Sequence, residues 1–411
     1  MPLFQADHSE RGVQCLVVGV QLPKHYLGRN WRDLLILLGP VMAFGWLACA
    51  VLIMLFLRVG FPSALVIAAC LTPTDPVLAA SVLSNSQFSE RIPQRIRHLL
   101  SAESACNDGV SFPFLYLGLS ILTRATLEGT FKKWFLITVL WQCALGCVVG
   151  TVVGWSFNKL LRWSSHRHYV GRASYLVFYL LLAMLSIGIA STLGIDDFLV
   201  AFFAGAMFSR DGWFADQTKS SNLDHIVDLL LNSAMFVYFG AIIPWDRFNL
   251  SYPESPTKAI ITPWRLLVLF ILILLFRRIP AVLAMKHYIR SLKSWPEAFF
   301  TGHFGPMGVG ALFLAIEARA QLETDTSEPF PKPPPPGELD GRNERLVEMI
   351  WPVICFFVLG STMVHGLSTL AVSVGLSVKR PNGERAPLLG AETDGLDGMI
   401  HSETEESDLE E

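Results

Sequence analysis

Apolar runs of membrane-crossing length recur throughout this 411-residue chain and leave it few folds. Segments 34–57, 101–122, 134–157, 173–193, 226–243, 264–285, 297–316 and 347–374 match or approach the roughly 20 residues a helix needs to cross a bilayer. Shorter or interrupted runs at 12–22, 62–83 and 196–209 bring the predicted crossings to about eleven. Hydrocarbon offers the backbone no hydrogen bonds, so a spanning segment must satisfy its own N–H and C=O groups. Continuous apolar runs of this length do so as helices. The fold class is therefore an all-α polytopic membrane protein. Composition agrees, since only 16% of residues are charged, against about a quarter in soluble domains.

The chain divides into a polar leader (1–11), a transmembrane domain (12–374) and a tail (375–411) ending in "SETEESDLEE", acidic and expected to be disordered. The leader has no cationic stretch followed by an apolar one, so no cleavable signal peptide is expected. The cysteines lie mostly in apolar runs (Cys49, Cys70, Cys143, Cys147, Cys355), without a CxxC pair, and read as small buried hydrophobes.

Lys and Arg in short loops set the orientation. One side collects Lys24, Arg29, Arg32, Arg91, Arg95, Arg97, Lys159, Arg162, Arg167, Arg172, Lys286, Arg290, Lys293, Lys379 and Arg380. The other carries Arg58 and almost nothing near Gly194. The basic side is placed in the cytosol, with the C-terminus. The Pro-rich loop "TDTSEPFPKPPPPGELDG" then lies outside, as does the candidate glycosylation site at Asn249 in "NLS".

Polar groups inside the apolar runs mark the chemistry. "LTPTDPVLAA" puts Asp75 between Pro73 and Pro76, in a stretch that otherwise reads as membrane. The prolines remove backbone donors and free nearby carbonyls. Unwound backbone survives at membrane depth only when it is buried in protein or lines a wet cavity. Asp75 can neutralise the positive end of a half-helix, and Thr72 and Thr74 offer oxygens to a small cation. The next run opens "SAESACNDG". Glu103 and Asn107 share one helix face, as do Ser104 and Asp108. Hard oxygen ligands of this kind suit Na⁺, K⁺ or H⁺, and a desolvated Asp there can hold either a proton or a cation. An N-terminal capping cluster is the bland alternative.

Arg277 and Arg278 lie well inside an apolar run, where arginines pair or snorkel; Glu103 is the acid available to one of them. Asp196 and Asp197 either attract cations or cap a helix. His303 sits in the glycine-rich break "GHFGPMGVG" and either senses pH or packs. This late break echoes the early "TPTDP", and paired breaks of this kind occur in transporters built from inverted repeats. No nucleophile–base constellation, zinc spacing or phosphate loop suggests an enzyme. No cofactor is expected, and the basic loops satisfy the orientation rule without nucleic acid.

Taken together, "TPTDPVLAASVL", "SAESACNDG", "GIDDFLVAFFAGAMFSRDGWF" and "VYFGAIIPW" resemble the fungal-type plasma-membrane sodium/proton antiporters of the cation–proton antiporter superfamily, from about Gly12 to Val374. The resemblance implies two crossed, discontinuous helices, one at TPTDP and one at 302–310. It implies Asp108 as the cation- and proton-binding carboxylate, Asn107 as its motif partner, and Thr74, Asp75, Ser104 and Glu103 lining the site. Na⁺ is expected at Asp108, Thr74 and Ser104. Arg278 matches the arginine paired with Glu103, Arg277 being the alternative.

Exchange of Na⁺, K⁺ or Li⁺ for H⁺ across the plasma membrane, by a homodimer embedded in lipid, is the implied activity. The family carries another helix before Gly12, so the chain resembles a shortened member, which bears on dimer formation. A cation channel or sensor and an inactive truncated paralogue are the competing readings.

Overall fold

A computed structural model describes residues 2–75, 92–123, 127–214, 223–249, 261–326, 329–330 and 341–379. Helices dominate. In chain order they are α1 (Pro2–Gln21), α2 (Tyr26–Leu57), α3 (Phe61–Cys70), α4 (Gln94–Thr123), α5 (127–166), α6 (Arg172–Leu193), α7 (Asp197–Phe208), α8 (Leu223–Ile242), α9 (Pro263–Phe276), α10 (Ile279–Met285), α11 (Trp295–His303), α12 (Val309–Thr324) and α13 (Gly341–Lys379).

Four of these are long and apolar enough to cross a membrane: α2, the Phe131–His166 part of α5, the pair α9–α10, and Glu344–Ser368 of α13. Five more are shorter apolar helices: Gly12–Gln21, Phe61–Cys70, Val177–Leu193, Asp197–Phe208 and Ser233–Ile242. The all-α polytopic fold expected from the apolar runs is what the chain adopts.

Boundaries differ from the sequence reading in three places. Helix α1 starts at Pro2 and takes in the stretch read as a polar leader. Helix α4 starts at Gln94, so "SAESACNDG" lies two turns inside it and is no N-terminal cap. The 264–285 run is two helices, because Pro280 occupies the first turn of α10 and cannot continue α9. Pro40 is absorbed within α2 by a π-helical turn, Leu37–Val41, which loosens the hydrogen-bond ladder where a donor is missing.

Two apolar cores organise the helices. One joins α2, α3, α9, α12 and α13. The other joins α1, α6, α7, α10 and α11. Helices α2, α4 and α12 contribute to both; α4 does so through Leu115 and Leu119 to the first and through Leu99, Ala102 and Cys106 to the second. Its polar stripe therefore falls where the two halves meet.

Helix α7 is clasped by glycines. Gly150 and Gly154 of α5 stand against the carbonyls of Val200 and Ala204, and Gly19 of α1 against that of Phe202. Small residues let backbones approach this closely when lipid supplies no hydrophobic drive. Helix α5 buries only 22% of its apolar window in protein; Phe135, Trp141, Val148 and Val152 point outward, as lipid-facing residues should.

Candidate functional site

The site forms where the end of α3 and the break between α11 and α12 meet α4. Helix α3 stops at Cys70 because Pro73 lacks a donor and disfavours helix at Thr72. Thr72 turns its hydroxyl back to the Ala69 carbonyl (2.7 Å), so of the two threonines Thr74 reaches the polar stripe. Its N–H donates to Asn107 Oδ1 (3.1 Å), its hydroxyl accepts from Asn107 Nδ2 (2.7 Å), and that hydroxyl shares a 2.7 Å bond with Ser104 Oγ. The Asn107 amide thus satisfies backbone that the break leaves exposed. The first discontinuous helix that the resemblance implies runs on past Asp75, and that stretch lies outside the described residues.

The second interruption separates α11 from α12 and crosses the first. The Asp75 N–H donates to the Pro306 carbonyl (2.8 Å), and Asp75 Oδ2 accepts from the Val309 N–H (3.0 Å) at the start of α12. A carboxylate is favourable there, against the positive end of a half-helix. Position 308 has to be glycine, because a Cβ would run into the Asp75 carboxylate. Helix α13 completes the break: Ser361 Oγ accepts from the Met307 N–H (2.8 Å), and a ring nitrogen of His365 lies 3.1 Å from the His303 carbonyl. His303 itself stacks on His365 with ring centroids 5.4 Å apart, which is a packing arrangement.

The two arginines do different work. Arg278 makes a bidentate ion pair with Glu103, both N–O distances 2.5 Å, and donates from Nε to the Thr301 carbonyl (3.0 Å). Arg277 donates to the carbonyls of Leu71 (2.5 Å) and Gly305, and so ties together the carbonyl ends of both half-helices. A cation is favourable at those negative ends. Both arginines are buried and turned inward, so neither snorkels. The sequence left Arg277 open between pairing and snorkelling; its carbonyl partners become visible only once the breaks cross.

Asp108 follows Asn107 on α4 and is 4% exposed. Asp196 caps α7, accepting from the Leu199 N–H (2.8 Å), and its Oδ1 lies only 2.5 Å from where a Cβ on Gly109 would stand. It is a cap set next to Asp108. Asp197 is buried in the first turn of the same helix. Asn249 is exposed, just after the turn Trp245–Phe248. A small cavity opens onto the site, lined by Thr72, Thr74, Glu103, Asn107, Arg277 and Arg278.

Comparison with known proteins bears on this arrangement. The family described as "Sodium/hydrogen exchanger, transmembrane" matches residues 15–374. "Na(+)/H(+) antiporter 2" of Zygosaccharomyces rouxii is 43% identical over 366 residues, covering 88% of this chain and 44% of the relative. The "Na(+)/H(+) antiporter" of Saccharomyces cerevisiae is also 43% identical over 366 residues, covering 88% of this chain and 36% of its own length. The chain thus spans less than half the length of these curated relatives. In fold it is similar to the solved sodium proton antiporter MjNhaP1 from Methanocaldococcus jannaschii. The TM-score is 0.65 at 17% identity, covering 92% of this chain and 86% of that one.

Proposed function

The chain belongs to the sodium/hydrogen exchanger family, and from that premise we propose that it exchanges Na⁺, or K⁺ and Li⁺, for H⁺ across the plasma membrane, exporting alkali cations on the inward proton gradient. Asp108 takes a proton and a cation in turn. Thr74 and Ser104 add hard oxygen ligands for the cation. The lipid bilayer, alkali cations and protons are its partners, and no cofactor takes part. The protein works as a homodimer with its C-terminus in the cytosol, on the side rich in Lys and Arg.

One observation carries this reading. Asp75, Glu103 and Asp108 are buried with Arg277 and Arg278, and Asp196 is buried against Gly109, so carboxylates outnumber guanidiniums here. Ionised, these groups leave an excess of negative charge. An uncompensated charge away from water is costly, so the site calls for monovalent positive charge. A proton or an alkali cation meets that need, and each excludes the other. Glu103 pairs with Arg278 and Asp75 accepts from the start of α12, which supports the reading, implied by the family resemblance, that Asp108 turns over.

The test is a flux measurement on the 411-residue chain in proteoliposomes. With the interior acid, adding Na⁺, K⁺ or Li⁺ outside should raise the internal pH with saturating cation dependence. Cation entry that proceeds equally well with the pH gradient collapsed, and moves no protons, would identify a channel instead.

A further inference from the structure

Helix α5 carries an exposed stripe opposite the glycines that meet α7. Val148, Val152, Trp155, Lys159, Trp163 and Arg167 follow one another at three- or four-residue steps, so they share one face, and each is exposed. The first two are apolar. The last four alternate aromatic ring and cation, and they pair. Lys159 Nζ lies 4.0 Å from the centroid of Trp155, and the Arg167 guanidinium carbon lies 5.8 Å from that of Trp163. Tyr169 closes the stripe, edge-on to Trp163 at 5.8 Å. Trp134 and Trp155 stand roughly 30 Å apart along the helix, which is the thickness of the hydrocarbon core. Trp is favoured at both of its boundaries, so Trp155 marks one edge of the core.

A snorkelling cation extends away from the core, toward water. Lys159 does the reverse: its ammonium folds back one turn, over Trp155, to the level of the hydrocarbon edge. Arg167 folds back over Trp163 in the same way. Neither charge is neutralised by the protein. No Asp or Glu occurs between Glu128 and Asp196. Arg162 reaches a carboxylate, Asp211, past the end of α7 (2.5 Å), whereas Lys159 and Arg167 meet no carboxylate and no hydrogen-bond acceptor among the described residues. Their N–H donors are therefore available at headgroup depth, beside rings and at the end of an apolar stripe. An anionic phospholipid has the matching parts: a phosphate for the cations and an acyl chain for the valines. A second copy of this chain fits less well, because a self-complementary contact here would offer two cations and no acid to meet them.

We propose that this end of α5 is a binding site for an anionic phospholipid, with the headgroup phosphate held by Lys159 and Arg167 and an acyl chain laid along Val152 and Val148. That the lipid belongs to the inner leaflet rests on the orientation proposed above. The binding itself depends neither on that orientation nor on exchange.

The test titrates the full chain in detergent with phosphatidylserine, phosphatidylcholine and inorganic phosphate, counting bound lipid by native mass spectrometry and following thermal unfolding. Phosphatidylserine should bind and raise the unfolding temperature; the other two should do so far less. In the double variant Lys159→Gln with Arg167→Gln, apparent affinity for phosphatidylserine should fall roughly thirtyfold, with the lipid-free unfolding temperature unchanged. Each single substitution should cost roughly fivefold, which keeps the test open if the double variant folds poorly. Phosphatidylserine binding by these variants as tight as the parent's would overturn the site. So would an equal loss from Lys132→Gln with Lys133→Gln at the other end of α5, which would reduce the effect to net charge. Phosphatidylcholine or inorganic phosphate binding the parent as tightly as phosphatidylserine would also overturn it. Crosslinking of Val152→Cys to a second copy, absent in the parent, would place protein on the stripe instead of lipid. Exchange is read separately by flux, so failure of the lipid site leaves that reading standing.

Discussion

Arg277 and Arg278 are neighbours in sequence with separate tasks, and the difference lies in what each meets. Arg278 faces a carboxylate and forms a fork with it. Arg277 faces two carbonyls at the ends of interrupted helices. Spacing along the chain cannot tell them apart, because the backbone leaves α9 between them and their side chains diverge. What was legible was the chemistry: an arginine in an apolar run needs a partner, and Glu103 is one turn from Asn107 on the stripe. Replacing Arg278 by Ala should cost about 3–5 kcal/mol, since it strands a buried charge. The double variant Arg278→Gln with Glu103→Gln should recover most of that loss. Thermal unfolding of the purified protein checks both, and a single variant as stable as the parent would refute the pairing as a stability element.

At the scale of elements, the chain announces some interruptions and hides others. TPTDP and GHFGPMGVG are legible as breaks because proline removes donors and glycine admits close approach in the same few residues. The break between α9 and α10 is not, because apolar residues continue on both sides and a lone proline such as Pro280 can kink a helix as well as end it. The crossing of the two legible breaks, through Asp75, Pro306 and Val309, is a long-range pairing that no local pattern encodes; the resemblance supplied it. Helix packing follows the same division. Gly150 and Gly154 look like ordinary small residues until α7 is laid against them. Gly154→Val should therefore destabilise the protein by about 1–3 kcal/mol through overpacking. Gly188→Ala on α6, where a Cβ meets nothing within 4 Å, should be neutral or slightly stabilising. Equal unfolding temperatures for these two variants would contradict the clasp around α7.

At the scale of the molecule, the two large apolar cores meet along α2, α4 and α12, and the polar stripe sits on α4. That placement sets the stripe between the two cores. The apolar runs already determined that the chain is a helical membrane protein. They did not reveal that the runs sort into two cores, since that depends on which faces meet. We propose that Asp108 alternates between proton and cation where α3 and the break between α11 and α12 meet α4. The most direct test compares the unaltered chain with Asp108→Asn in proteoliposomes at matched insertion, following internal pH after Na⁺ or K⁺ is added outside an acid interior. Alkalinisation is expected from the first and none from the second, with equal unfolding temperatures. Alkalinisation at the same rate by Asp108→Asn would contradict it.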